Sequence, residues 1–192
     1  MAAGAAFPGL FFCFAAMVLL IFVSVSVPTW SPIYFLQASR GAQTLRFGVF
    51  GYTGTGRSIG YNFDPTILGF NNTRLNDATI HNLTKILILH PIAAGLSGLA
   101  VIFGLCGAGY HRAGTVFMAL VSTLATIATI LAWVVDMVLF GIARTQFRDQ
   151  GWAAQYGNAT WMTLAAAVAL LIGFCTSACG VFGHYRRHRT AY

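Results

Sequence analysis

Four long apolar segments, separated by shorter polar ones, constrain this chain more than any other feature of its sequence. They cover residues 10–27, 86–108, 114–142 and 161–182. A helix needs about 20 apolar residues, each rising ~1.5 Å, to cross a hydrocarbon core of ~30 Å. Each segment reaches or approaches that length, and Asp136 alone breaks the third. The sequence therefore predicts a single four-span membrane domain, mainly α, over residues 1–192.

The composition favours a membrane protein over a soluble one. Apolar residues make up 57% of the chain and charged residues 8%, whereas soluble domains carry about 25% charged residues. The formal net charge is +7, but the basic residues are scattered between apolar runs, apart from RRHR at 186–189. This pattern indicates anionic membrane lipid rather than nucleic acid as the partner.

The first apolar segment has a second interpretation, a cleaved signal peptide. The preceding residues, MAAGAAF, carry no basic side chain, and the segment is longer than the usual apolar region of 7–15 residues. Both observations favour an uncleaved helix.

The distribution of positive charge predicts the orientation. Short cytosolic loops carry an excess of Lys and Arg. The link between the second and third segments holds His111 and Arg112, and the tail, residues 183–192, holds three arginines. Both termini are therefore expected in the cytosol, with residues 28–85 and 143–160 as outer loops.

Three N-x-[ST] sequons lie in these outer loops, at Asn71, Asn82 and Asn158. Asn82 and Asn158 are close to the membrane, which hinders modification. Asn71 is therefore the best candidate for glycosylation.

All four cysteines lie within the apolar segments, so the outer loops contain no disulfide framework. Cys106 and Cys179 are near predicted cytosolic helix ends, where palmitoylation is one interpretation and small apolar packing is the other. Cys175 and Cys179 share a helix face, but no neighbouring His or Cys completes a set of four metal ligands.

His90 and Asp136 are expected at similar depth, in the outer part of the second and third helices. A carboxylate inside a membrane normally faces the bundle interior and has a partner. One hypothesis is a hydrogen-bonded pair that responds to external pH, because histidine titrates in the physiological range. The alternative is a fixed polar clasp between two helices. Arg144 is a rival partner for Asp136.

The first outer loop contains three strand-like stretches between glycines: SPIYFLQA (31–38), TLRFGVFGY (44–52) and IGYNF (59–63). We expect them to form a small extracellular β-sheet on the helix ends, joined by a strand or helix from the second outer loop. The stretch GYTGTGRS (51–58) approaches the phosphate-binding pattern G-x-x-x-x-G-K-[ST], but Arg57 replaces the lysine. Gly60 and Pro65 also follow too closely for a useful helix, so we expect no nucleotide there.

Several motifs occur in order along the chain: FGVFGY at 47–52, IGY at 59–61, LILHPIAA at 87–94 and VVDMVLFGIAR at 134–144. Together they resemble the fungal PalI-type tetraspan family, which includes pH-response regulators and eisosome-associated Sur-type proteins. That family is similar to claudins in layout. The outer-loop motif residues that carry the resemblance are Phe47, Gly48, Phe50, Gly51, Tyr52, Gly60 and Tyr61.

The resemblance implies a plasma-membrane protein of fungi without catalysis and without a cofactor. It also implies lateral contacts with lipids and with other membrane proteins, either a seven-span pH sensor or cortical proteins. Members commonly carry a cysteine after the loop's GY and a second one downstream. Here Thr53 follows Tyr52 and no cysteine comes later in the loop, so a staple worth roughly 2–4 kcal/mol is missing.

The residues themselves disfavour an enzyme and leave a pore as the alternative. Catalysis needs a nucleophile with its base, a carboxylate pair or a metal site, and the four acids of this chain are widely separated. A small pore or transporter would use Asp136 and His90 on its pathway. The preferred interpretation is a structural or signalling tetraspan, acting in cortical membrane and cell-wall organisation or in ambient-pH signalling.

Overall fold

Long apolar helices make up most of the chain. The computed structural model describes residues 3–61, 78–109 and 112–187. Its helices are α1 (Ala3–Ser24), α2 (Ala78–Ile86), α3 (Leu89–Gly109), α4 (Arg112–Asp149) and α5 (Asn158–Arg187). Among these residues four segments are long and apolar enough to cross a membrane, and they lie on α1, on α2 with α3, on α4 and on α5. The predicted fold class is confirmed, and the chain is a multi-pass membrane protein.

The helix bounds differ from the apolar segments, most of all in α4. This helix has 38 residues, or about 57 Å at ~1.5 Å per residue, which exceeds a ~30 Å hydrocarbon core. It ends at Asp149, seven residues beyond the expected end at 142. Hydropathy alone stops at the last apolar residue, whereas the helix continues because its final turns pack under the sheet described below.

The four long helices pack side by side around a core of small side chains. α1 contacts α3 and α5, and α4 also contacts α3 and α5. Fully buried alanines occur on each helix. They include Ala16, Ala93, Ala125 and Ala166, one from each of the four long helices. Small residues let helix backbones approach closely, which supplies packing contacts where lipid offers no hydrophobic drive.

A three-stranded antiparallel sheet caps one end of the bundle, which we call the sheet end. Its strands are β1 (Leu36–Arg40), β2 (Gln43–Phe47) and β3 (Ala153–Tyr156), in the order β2-β1-β3. Leu36 lies opposite Phe47 on one side and Tyr156 on the other. The third strand comes from the second long connection, so the first connection does not form the sheet alone. Residues 59–61 form no strand, contrary to expectation, and 62–63 lie outside the described residues.

One face of the sheet packs on the end of α4. Leu36, Phe47 and Ala154 are fully buried in the same apolar cluster as Phe140 and Phe147 of α4. The rings of Phe47 and Phe147 lie 5.6 Å apart. This contact surface is what supports the extra length of α4.

Hydrogen bonds hold the glycine-rich turn that follows β2. The Gly48 N–H donates to the Gly51 carbonyl at 2.8 Å, and Phe47 bridges to Tyr52. The Thr53 N–H donates to the carbonyl of Arg46 at 2.9 Å. These bonds close the turn at the position where the resembled family places cysteines. None of residues 51–61 is helical, so the turn lacks the helix N-terminus of a phosphate-binding loop.

Gly48 is required by a close backbone approach. A Cβ at this position would overlap the carbonyl oxygen of Val27 and lie 2.7 Å from its carbonyl carbon. We expect Gly48→Ala to lower the free energy of unfolding by at least about 1–3 kcal/mol, the range for overpacking. Thermal unfolding of the detergent-purified protein measures this change.

Gly56→Ala is the matched control, because a Cβ there meets nothing within 4 Å. Equal stability of the two variants would show that the turn does not depend on this contact.

Candidate functional site

A buried histidine and a buried aspartate meet inside the bundle. His90 lies in the first turn of α3 and Asp136 lies on α4. The His90 Nε2 is 3.0 Å from the Asp136 Oδ2, and both side chains have 0% exposure. The rival partner, Arg144, instead places its guanidinium 5.1 Å from the centre of the Tyr156 ring. The pair joins two consecutive helices through residues that are 46 positions apart.

A proline sets the orientation of the imidazole. Pro91 has no N–H to donate to the carbonyl of Leu87, four residues earlier, so the helical bond to that oxygen cannot form. Residues 87–88 form a turn between α2 and α3. The free Leu87 oxygen accepts the backbone N–H of His90 at 3.1 Å and lies 3.0 Å from His90 Nδ1. The local sequence therefore aims Nε2 away from its own helix.

The hydrogen bonds limit where the protons lie. A carbonyl oxygen only accepts, so Nδ1 of His90 carries a hydrogen toward Leu87. The bond between Nε2 and Oδ2 then contains one proton, either on the carboxyl or on the imidazole. Asp136 Oδ1 is buried without a hydrogen-bond partner. An unpaired neutral oxygen is less unfavourable in such a place than an unpaired charged one, which favours a protonated Asp136 that donates to a neutral His90.

Two further side chains complete the surroundings of the pair. The Phe35 ring, just before β1, packs edge-on against the His90 ring at 5.3 Å. The Thr163 Oγ1 of α5 lies 3.5 Å from His90 Nε2 and donates to the Ala159 carbonyl at 3.0 Å. Sequence reasoning missed both residues. No local sequence pattern distinguishes these two residues from other aromatic or hydroxyl side chains. Only the fold brings them to His90.

The outer-loop motif residues include three aromatic side chains that pack at the sheet end. Phe47, Tyr52 and Tyr61 are buried in the apolar cluster under the sheet. The Tyr61 hydroxyl donates to the Gly48 carbonyl at 3.1 Å, and the Thr84 hydroxyl on α2 lies 3.0 Å from the Tyr61 carbonyl. Burial raises the pKa of the Tyr61 hydroxyl, which keeps its proton available for this bond.

The remaining motif residues shape the turn. Phe50 is half-buried against the same cluster. Gly60 has a φ of 72°, a left-handed conformation that favours glycine. A Cβ at Gly51 would lie 2.9 Å from the Thr55 Oγ1. The motif is therefore a packing and turn unit that connects β2 to α2.

The three sequons lie in different settings. Asn71 is outside the described residues, and Asn82 is exposed on α2. Asn158 begins α5, and its side chain bridges to the first connection. Its Oδ1 accepts from the Tyr34 N–H at 3.2 Å, and its Nδ2 donates to the Pro32 carbonyl at 2.9 Å. The unmodified Asn158 side chain thus has a structural role, because it holds the start of α5 against the first connection.

The three cysteines whose side chains are described, Cys13, Cys106 and Cys175, are free thiols. Cys106 is exposed near the end of α3, whereas Cys13 is buried with its Sγ 3.7 Å from the Ser122 Oγ. Cys179 lies within α5, but its side chain is not among those described. Within the described residues no group of three or more His, Cys, Asp or Glu side chains could hold a metal ion.

A shallow groove of about 420 Å³ runs along the outside of the bundle between α1 and α5. Its lining is apolar, with Phe12 on α1 and Trp161, Val168 and Ile172 among the residues on α5. The groove is apolar and lies on the outside of the bundle, whereas the His90–Asp136 pair is polar and fully buried.

Comparison with known proteins gives one family. The family model described as the SUR7/PalI family matches residues 5–173, which include the three strands, the motif residues and the polar pair. A comparison with curated proteins gives no match.

Substitutions at Asp136 test the proton arrangement. In Asp136→Asn the amide N–H replaces the carboxyl O–H as donor to His90, so we expect a loss of less than about 1 kcal/mol in the free energy of unfolding. Asp136→Leu leaves Nε2 buried without its partner, which costs about 1–3 kcal/mol. Chemical unfolding in detergent measures both.

The double variant His90→Leu with Asp136→Leu serves as the control, because removing both polar partners leaves neither one unpaired. If Asn is as unfavourable as Leu at position 136, the protonated carboxyl is the wrong assignment.

Proposed function

Since the chain belongs to the SUR7/PalI family, we propose that it is a non-enzymatic plasma-membrane protein that acts through lateral contacts with lipids and with other membrane proteins. The SUR7/PalI family is not a known enzyme family. Within this proposal, organisation of the cell cortex and the adjoining wall is the function that the geometry supports best.

The observation that carries this proposal is the way polar groups pair inside the bundle. Hydroxyls on the long helices donate to carbonyls four residues earlier on their own helix, at 2.7–3.0 Å. They belong to Ser97, Thr126, Thr129 and Thr163. His90 and Asp136 bond to each other. Few buried polar atoms of the described bundle residues lack a partner, Asp136 Oδ1 and Thr160 Oγ1 among them, so this interior offers little to a substrate or an ion.

The described outward surfaces of the long helices carry many exposed apolar side chains. Phe11 on α1, Leu105 on α3, Leu124 on α4 and Val168 on α5 are each about half exposed. Side chains of this kind suit contact with lipid tails and with neighbouring transmembrane helices. A protein of this kind acts through contacts of its lipid-facing helix surfaces, which fits an organiser of membrane regions.

A small pore or transporter that uses Asp136 and His90 is the alternative from the sequence. It is less well supported, because a pathway residue must reach water and both side chains have 0% exposure. Conductance of the purified protein in a planar bilayer, or ion uptake by vesicles that contain it, would favour the pore.

The proposed topology places both termini in the cytosol and the sheet end outside. Positive charge near the short link between α3 and α4 and near the end of α5 supports this orientation. The four arginine and histidine residues at 186–189 would then lie near anionic inner-leaflet lipid.

Ambient-pH signalling beside a seven-span sensor is the second candidate. The observation that favours it is the single proton that His90 and Asp136 share, since a change in that proton would alter the contact between α3 and α4. Full burial speaks for a fixed clasp, because external protons have no exposed atom of the pair to reach.

Imaging and growth separate the two roles. We expect a fluorescently tagged copy to form static plasma-membrane patches, and a deletion strain to grow at alkaline pH as well as its parent. The matched comparison is a strain that carries His90→Gln. Patches that persist in this variant, with growth unchanged at alkaline pH, would support the organiser.

Two outcomes would overturn the proposal. Loss of alkaline growth on deletion, together with co-purification of a seven-span protein, would assign the chain to pH signalling. Uniform surface fluorescence with rapid exchange would remove the cortical role.

A further inference from the structure

The face of the sheet that points away from α4 is polar. Side chains alternate along a strand, and residues directly opposite one another share a face. The face opposite the apolar one carries amide, hydroxyl, guanidinium and methyl groups, all at least partly exposed. Its members are Gln37, Ser39, Thr44, Arg46, Ala153 and Gln155. We call this set the polar sheet face.

Arg46 is held in a fixed position at one end of the row that it forms with Gln37 and Gln155 across the three strands. Its Nε donates to the Gln37 Oε1 at 3.2 Å, and its Nη1 donates to the Ser31 carbonyl at 3.1 Å. The guanidinium also lies 5.0 Å from the centre of the Tyr34 ring. A guanidinium has five N–H donors, so three remain beyond these two bonds. A cation held in this way loses little freedom when it binds an anion.

The charge of the chain segments around the face is mainly positive. The two connections at the sheet end, residues 28–85 and 143–160, contain seven Lys or Arg against three Asp. Arg40 is exposed at the end of β1, but it alternates with Ser39 and so belongs to the opposite face, which leaves Arg46 as the cation among the six members of the polar sheet face. An excess of positive charge spread over both connections complements a polymer with repeated negative charges better than a single small anion.

We propose that the polar sheet face binds an anionic polysaccharide, with Arg46 on an acidic group and the amides of Gln37 and Gln155 on neighbouring sugar hydroxyls. Arginine suits this role because its planar N–H groups pair with sulfate, phosphate or carboxylate. A protein partner fits less well, because protein interfaces rely on large apolar or aromatic anchors and the six members of the face include none. The inference does not depend on the proposed cortical function.

Binding of the detergent-purified full chain to dextran sulfate tests the proposal, with neutral dextran as the uncharged comparison. We expect saturable binding of dextran sulfate that weakens with added NaCl, and at least tenfold weaker binding of neutral dextran. Arg46→Gln should reduce affinity for dextran sulfate by about tenfold, because it removes a charge-assisted bond.

Lys85→Gln is the matched control. It removes one positive charge from the sheet end, but Lys85 lies on α2 beside Gly60 and is not a member of the face, so we expect less than a twofold change. Gln155→Ala removes an exposed amide without any change in charge, and should weaken binding about threefold. It also decides the question if Arg46→Gln fails to fold.

Three results would overturn the proposal. Equal losses in Arg46→Gln and Lys85→Gln would mean that net charge alone attracts the polymer. Binding of polyglutamate or of anionic lipid vesicles as tightly as dextran sulfate would assign the face to an acidic protein or to a membrane. Unchanged binding in both Arg46→Gln and Gln155→Ala would place the contact elsewhere.

Discussion

The hydrogen bond between His90 and Asp136 is the contact on which the rest of the bundle depends. Inside a membrane no water can pair with a polar side chain, so each such group must find its partner within the protein. Here the partners come from two helices, and both are fully buried. Their pairing fixes how α3 and α4 face each other, and Thr163 brings α5 to the same place. The apolar contacts of the bundle permit many rotations of a helix, whereas this bond is compatible with few.

The same pair is also connected to the sheet. Phe35 packs against His90 on one side and stacks on Phe140 at 5.1 Å on the other, and Leu36 follows it as the first residue of β1. The start of the sheet is therefore built directly on the polar pair. Above it, the motif tyrosines and Gly48 close the turn that leads away from β2. The sheet end and the helical bundle form one packed structure in which neither part is an independent appendage.

The sequence predicts the helices well because hydropathy over about 20 residues measures the same property that drives insertion. It predicts β3 poorly. The residues AAQY have little intrinsic strand preference, and their conformation comes from pairing with β1, more than 110 residues earlier. The extra turns of α4 follow from burial of Phe147 under the sheet, which no local pattern reveals. The similar depth of His90 and Asp136 could be read from the sequence, but the part played by Phe35 could not, since nothing in a single aromatic residue indicates its distant neighbour.

Pro91 has a consequence for the order in which the molecule is assembled. Because Pro91 donates no N–H to the Leu87 carbonyl, that oxygen can accept from His90, and the imidazole is oriented by its own segment of chain, within three residues. α3 is synthesised before α4. The His90 imidazole can therefore be oriented by Leu87 before Asp136 reaches it. A residue with an N–H at position 91 would donate that N–H to the Leu87 carbonyl, and the His90 ring would lose this partner. Apolar packing alone would then determine how α3 and α4 are rotated relative to each other. Pro91 thus favours the pairing of α3 with α4, although the hydrogen bond that joins them is made by His90 and Asp136.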